Sequence, residues 1–491
     1  MSSTSAIVLV NTKQFLGRVD RRIYGQFIEH LGRCIYGGIW VGEDSPIPNV
    51  NGYRKDALEA IRALRSPLVR WPGGNFSSGY HWLDGVGERR RRPVKLDMAW
   101  GSDDPNQFGT DEYMEWCRLV STEPLIVVNA GNGTPEEAAY WVEYANGKGN
   151  SKYAALRREN GHQDSYNVKL WGIGNELYGA WQIGYCVDGR ECARRTVEFA
   201  NEMKKVDPNI RLIAVGDLEQ RSIEPEWNLE MIKVAGKYID YLSVHTYIGG
   251  DREYMELLSA PTQIEGSLKA TYELVWSASR KYASGKDIKL AFDEWNVWYP
   301  DAKPVQLDQV TGVKDGLFTA LVLNSLLRLP REVPIACFAQ TVNVLPLIST
   351  GDDGSIYVNP QYLVFRMYGD NTGEFSVSAS VDAPCYHSKE YLPEYLPIVD
   401  ASATLSEDGK VLYVHIVNKD PKEAMECAIM PRDFIPTMLE HIYMCGDGID
   451  SRNSFDDPDN VGMERNPPVK INSSPVKVVL PPHSANIVIL R

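Results

Sequence analysis

Two stretches, VKLWGIGNE at 168–176 and IKLAFDEWN at 288–296, decide how this chain reads. Each is a short apolar run that ends abruptly in an amide or an acid. Six further runs of the same kind accompany them: IYGQFIEH (23–30), PLVRWPGG (67–74), PLIVVNAG (124–131), IRLIAVG (210–216), YLSVHTY (241–247) and IACFAQTVN (335–343). Between the runs lie amphipathic helical patterns such as YRKDALEAIRALR (53–65) and DEYMEWCRLV (111–120). Eight such strand–helix units predict an α/β fold of the closed (β/α)8 barrel type in preference to an open doubly wound sheet. No GxGxxG follows the first strand, which weakens a dinucleotide-binding reading.

From about residue 375 the pattern changes. KVLYVHIVN (410–418), AMECAIM (424–430), VKVVL (476–480) and NIVIL (486–490) alternate with turn signals and predict an antiparallel β-sandwich. The early strand AIVLVN (6–11) has no helix after it and is expected to join that sandwich. The expected division is therefore a barrel over 18–372 and an accessory sandwich built from 1–17 and 373–491.

The 491 residues suffice for a large barrel plus a small second domain. A composition of 43% hydrophobic and 24% charged residues is that of an ordinary globular protein. The formal charge of −14 argues against nucleic acid, anionic substrates and acidic membranes, and leaves neutral sugars unopposed. The eight cysteines fall far below disulfide-scaffold density and form no CxxC pair. The opening MSSTSAIVLVNTKQF lacks the charged and apolar regions of a signal peptide, and no stretch approaches a membrane span. A cytoplasmic protein with free thiols is expected, with Cys186 and Cys192 the one pair close enough in sequence to bridge under oxidising conditions. The charge run ERRRRP (88–93) is expected to be a solvated loop.

Barrel enzymes carry their chemistry at the C-terminal ends of the strands. Those ends hold Glu29, Arg70, Asn75, Asn129, Asn175, Glu176, His245, Tyr247, Glu294 and Gln340. Glu176 ends the fourth unit and Glu294 the seventh, so the two can face one another across the barrel mouth. Glycoside hydrolysis needs such a pair, one carboxyl protonated to release the leaving group and one ionised to meet the oxocarbenium-like carbon. Tryptophans 71, 82, 100, 171, 181, 295 and 298 cluster near the same ends, and Trp100 and Trp298 are the choices for stacking on a sugar. Metal hydrolase chemistry is thinly supported: Glu29 and His30 are adjacent, so they would point to opposite faces of a strand, and His245 stands alone. No GxSxG elbow is present. An endo-acting β-glucanase or xylanase, or a non-catalytic sugar-binding barrel, stays open on the residues alone.

The motifs resemble glycoside hydrolase family 51, whose typical activity is that of an α-L-arabinofuranosidase. The resemblance is carried by IYGQFIEHLGRCIYGGIW (23–40), RWPGGNF (70–76), YHWLDGVG (80–87), NQFGTDEY (106–113), WGIGNE (171–176), SVHTY (243–247), DEWNVWY (293–299) and AQTVNVL (339–345). It implies Glu176 as acid/base, Glu294 as nucleophile, and a sugar ring held by Glu29, Arg70, Asn75, Asn175 and Gln340. Tyr247 would orient the nucleophile and His245 support the acid/base. Exo-action on terminal arabinofuranosyl groups, a β-sandwich accessory domain and an often hexameric homo-oligomer are implied in the same way. No metal or other cofactor is expected. The chain resembles the shorter, unexported branch of the family.

Overall fold

The computed structural model describes residues 5–218, 226–302, 306–472 and 474–491. The chain begins in a long strand, β1 (Ser5–Arg18), before entering the barrel. The barrel strands are β2 (Gly25–Phe27), β3 (Leu68–Trp71), β4 (Glu123–Val128), β5 (Leu170–Ile173), β6 (Arg211–Val215), β7 (Tyr241–Gly249), β8 (Lys289–Trp298) and β9 (Ile335–Ala339). They pair in parallel in chain order, and β9 closes on β2. Phe27, Leu68, Leu125, Val127, Leu170, Ile213, Ala291 and Ile335 fill the interior as a core of their own. That filling explains why the runs carry no alternating polar face: side chains on one side meet the interior, those on the other meet the helices.

The helices cover the outside, some with a single apolar stripe and others, such as Val313–Arg328, buried nearly all round. Helix α1 (Lys55–Leu64) buries Ala57, Leu58, Ile61 and Leu64, the spacing of a single face, and ends at Arg65 in the left-handed region (φ 50°). Helix α2 (Thr110–Val120) opens with a capping box in which the Glu112 carboxylate accepts from the Gly109 N–H. These two segments coincide with the helical patterns read from the sequence.

The last third of the chain forms β10 (Phe375–Asp382), β11 (Val399–Leu405), β12 (Leu412–Asn418), β13 (Met425–Arg432), β14 (Met438–Cys445), β15 (Gly462–Lys470), β16 (Val476–Leu480) and β17 (Ser484–Leu490). With β1 they make one nine-stranded sheet in the order β15-β14-β17-β12-β11-β10-β1-β13-β16, curled around its own apolar cluster. β1 lies antiparallel to β10 but parallel to β13, the one parallel pair in an otherwise antiparallel sheet. The sheet is tied to the barrel by a half-buried cluster in which Arg328 joins Asp400 and Glu265 at 3.2 and 2.7 Å.

The arginine run corrects the expectation of a wholly solvated loop. Arg90 and Arg91 are exposed, but Arg92 is buried and makes a bidentate pair with Glu112, both bonds at 2.9 Å. Arg89 lies over the Trp40 ring and pairs with Glu43. The acid that caps α2 needs a cation, and the run supplies it. All eight cysteines are thiols, with Cys186 and Cys192 buried.

Candidate active site

The strand ends open into a cavity of about 410 Å³ lined by Glu29, Leu31, Gly74, Asn75, Ala99, Trp100, Glu176, Trp181, Tyr247, Glu294, Trp298, Leu307, Gln340 and Leu345. Glu294 is at the heart of it. Its Oε1 accepts from Arg70 Nη1 at 2.5 Å and its Oε2 from the Tyr247 hydroxyl at 2.8 Å. Arg70 uses its other arm to donate to Asn175 Oδ1 at 2.7 Å, so one rigid guanidinium fixes an acid on β8 relative to an amide beyond β5. Gly74 makes this closeness possible, because a Cβ there would stand 2.9 Å from Glu294 Oε1.

Glu176 follows Asn175 with its backbone in the left-handed region (φ 42°), a strain that non-glycine residues bear mostly at functional sites. Its Oε1 lies 2.9 Å from His245 Nδ1. On the other edge of the imidazole, Nε2 is 3.0 Å from Ser243 Oγ and 3.3 Å from Asp293 Oδ1, while Ser243 donates to the same Asp293 oxygen at 2.6 Å. Burial pulls the His245 pKa down, but Glu294, Asp293 and Glu176 outweigh it and hold the ring charged up to about 10. Burial likewise pushes Asp293 up, but Arg70, His245 and Ser243 leave it below the ordinary aspartate value.

Glu29 closes the opposite side. Its Oε1 accepts from the Gly74 and Phe76 amides, both at 3.0 Å, and from Trp100 Nε1 at 3.1 Å, and its Oε2 accepts from Gln340 Nε2 at 2.9 Å. Burial, only partly offset by the Phe76 N–H and reinforced by the negative charge of Glu294, raises this carboxyl to about 7. Asn75 Oδ1 accepts from Asn175 Nδ2 at 3.3 Å and from Gln182 Nε2.

Of the residues expected from the sequence, Glu29, Asn75, Trp100, Glu176, Tyr247, Glu294, Trp298 and Gln340 line the cavity. Arg70, Asn175 and His245 stand one layer behind, each bonded to a lining side chain. Asn129 does not join them: its Oδ1 accepts from the Gly131, Asn132 and Gly133 amides and folds its own loop. Glu29 and His30 lie past the end of β2 and not in a strand; His30 stays out of the cavity lining, accepting from Trp71 Nε1 at 3.1 Å and facing Asp104 at 3.4 Å. Trp71, Trp82, Trp171 and Trp295 are core. Asp293, Ser243 and Gln182 are not among the residues the sequence points to, and Trp181 figures there only among the tryptophans near the strand ends, although Ser243 shares His245's face by simple alternation.

Glu176, His245 and Glu294 each offer one ligand atom within 4.8 Å of the others, a spacing that could hold a metal ion. Their bonding speaks for another use. The Glu294 oxygens are engaged by Arg70 and Tyr247, and His245 meets Glu176 as a charged donor, so an incoming cation would face two resident cations.

Residues 60–259 match the alpha-L-arabinofuranosidase 1 domain and residues 293–484 the alpha-L-arabinofuranosidase C-terminal domain. The chain is 34% identical to the intracellular exo-alpha-(1->5)-L-arabinofuranosidase 1 of Bacillus subtilis over 99% of each chain. This chain belongs to the family 51 α-L-arabinofuranosidases. Among solved structures it is similar to the family 51 α-L-arabinofuranosidase of Thermotoga petrophila RKU-1 (38% identity, 99% and 100% of the two chains, TM-score 0.93). It is equally similar in sequence to the Thermotoga maritima α-L-arabinofuranosidase solved as an arabinose complex (38% identity, 99% of each chain, TM-score 0.91). Membership makes the chain a glycoside hydrolase with the barrel-plus-sheet architecture of its relatives. No helix among the described residues is long and apolar enough to cross a membrane.

Proposed function

We propose that the chain removes terminal α-L-arabinofuranosyl groups from oligosaccharides and polysaccharides with retention of configuration, Glu294 acting as nucleophile and Glu176 as acid/base. The observation that carries the reading is the separation of the two carboxylates. One oxygen of each lies within 4.8 Å of the other, a closeness that favours a retaining pair (about 5–5.5 Å) over an inverting one, whose acids stand about 6.5–9.5 Å apart.

In the first step Glu294 attacks the anomeric carbon from the β face as Glu176 gives its proton to the departing oxygen. The C–O bond to the leaving group breaks and a β-linked glycosyl ester forms on Glu294. In the second step the Glu176 carboxylate takes a proton from water, which attacks the opposite face, and Glu294 departs as a carboxylate. The α configuration returns. Arg70 and Tyr247 each hold one nucleophile oxygen, so attack costs little reorientation.

The charges around the pair stay balanced through both steps. At rest, neutral Glu176, anionic Glu294 and Asp293, and cationic Arg70 and His245 sum to zero. In the intermediate Glu294 is a neutral ester and Glu176 an anion, and the sum is again zero. In a buried site where unpaired charge is expensive, that constancy favours both states alike. Asp293 is what keeps the imidazolium in place, through Ser243 and Nε2.

Around the ring, Asn75 offers donors, while Glu29 and Gln340 receive hydroxyls; Gln340 Oε1 is buried with no partner of its own, as a group awaiting a sugar hydroxyl would be. Trp100 and Trp298 offer indole faces at the cavity wall. The same reading takes residues 18–372 as the catalytic unit of a cytoplasmic homo-oligomer that needs no metal. The intracellular naming of the Bacillus subtilis relative supports the compartment.

A panel of aryl glycosides tests the activity. Aryl α-L-arabinofuranoside should be cleaved far faster than aryl β-glucoside or carboxymethyl-cellulose, and dialysis against EDTA should leave the rate intact. Comparable rates on the cellulose derivative would favour an endo-glucanase, and a loss restored by zinc or manganese would overturn the two-glutamate account.

A further inference from the structure

Gln182 lies in the loop that follows Glu176 and is 6% exposed. Its Oε1 is taken by the Ser78 hydroxyl at 3.1 Å, so it turns Nε2 to Asn75 and can only donate there. Asn175 is constrained in the same sense: Arg70 occupies its Oδ1 at 2.7 Å and leaves Nδ2 to face Asn75 at 3.3 Å. Asn75 thus meets two donors on its protein side. Its Oδ1 must point inward, and its Nδ2 is left to the cavity it lines. Turning the amide round would set an NH2 group against two other NH2 groups and lose both bonds.

We infer that Gln182 is a positioning residue that acts through Asn75. It fixes this part of the cavity wall as a donor surface, selecting a sugar hydroxyl that accepts there. The inference rests on the arabinofuranosidase reading, and names a specificity element of that same site. Ser78 and Gln182 reach no substrate themselves. They form a line of donations, Ser78 to Gln182 to Asn75, that carries an amide orientation from a buried hydroxyl to the cavity wall. Asn175 donates to the same Asn75 oxygen by one bond of 3.3 Å, beyond the usual range of such bonds.

Two variants separate positioning from support of the fold. Gln182→Leu removes the donor, and Gln182→Glu replaces it with an acceptor, which draws the Asn75 NH2 inward and leaves the carbonyl oxygen facing the sugar. With aryl α-L-arabinofuranoside, Gln182→Leu should lower kcat/KM by about 10-fold, the worth of one ordinary hydrogen bond. Gln182→Glu should lower it further and raise the inhibition constant of L-arabinose in parallel. In an Asn75→Ala background neither substitution should cost anything more, because the group they orient is gone. Additive losses in the double variants, or a Gln182→Glu enzyme as active as wild type, would overturn the inference while leaving the activity standing. A wild-type protein inactive on every arabinofuranoside would overturn the activity and this inference with it.

Discussion

The cavity has two unlike walls. The strand-end wall is a continuous hydrogen-bonded solid: Glu29 accepts from four donors, Arg70 bridges Glu294 to Asn175, and Asp293 and Ser243 pin His245 against Glu176. The outer rim is different. Trp181 is 57% exposed and Trp298 meets Tyr247 only edge-on, with ring centres 5.3 Å apart. Arg70, His245, Asp293 and Glu294 stand on strands whose register fixes them, and Glu29 and Glu176 just past strand ends, whereas Trp181 comes from a loop and Trp298 from the last position of β8. On this view, damage to the wall should show in rate and pH dependence, and damage to the rim in substrate range.

The wall should give the largest effect. Asp293→Asn removes one of the anions that keep His245 charged, leaving the charge of Glu294 and the hydrogen bond to Glu176 to hold it against burial. The alkaline limb of kcat/KM should move to lower pH and kcat should fall by about 1,000-fold. An unshifted profile with a small rate loss would mean that Asp293 merely fills space.

Glu29 tests the wall through stability. Its carboxyl is held near 7 in the folded protein against 4.5 when free, so the fold binds this proton more tightly than the unfolded chain does. The resulting stabilisation is present in full below about 4.5 and is lost as the pH rises through about 7, on the order of 3 kcal/mol in all. In Glu29→Gln that decline should vanish, with Gln340 turning its amide to present the oxygen that now lacks a partner. Parallel melting curves for the two proteins across pH 4.5–7 would contradict the raised carboxyl.

The rim should give the smallest effect, and a selective one. Trp181→Ala should raise KM for an arabino-oligosaccharide by about 5-fold and leave kcat unchanged, consistent with one exposed aromatic contact. A large kcat loss would move Trp181 to the wall in function.

Much of this was legible in the sequence, for identifiable reasons. Barrel strands are buried on both faces, so runs such as PLIVVNAG stand out against their surroundings, and the two candidate acids, Glu176 and Glu294, sit at the ends of two of those runs. Asp293 was hidden by the strand alternation that helped elsewhere. Adjacent residues ordinarily face opposite ways, yet the pairing of β8 shifts register between Phe292 and Trp295, and again opposite the step from Ser243 to His245. That irregularity lets Asp293 and Glu294 both reach Arg70, the first from 3.5 Å and the second from 2.5 Å. Gln182 and Trp181 come from a loop, where spacing carries no orientation. Arg92 looked like one of four equivalent charges until Glu112 was seen beside it.

The division of labour between the two glutamates is the centre of the account, and the stereochemistry of azide rescue tests it most directly. Glu176→Ala should still form the β-linked ester on Glu294 from an activated aryl arabinofuranoside, and the ester should accumulate because no base remains to activate water. Azide needs no deprotonation, so it should attack the opposite face and release the α-arabinofuranosyl azide. A β-azide from Glu176→Ala would mean single displacement, and rescue with retention in Glu294→Ala in its place would mean that the two roles are reversed.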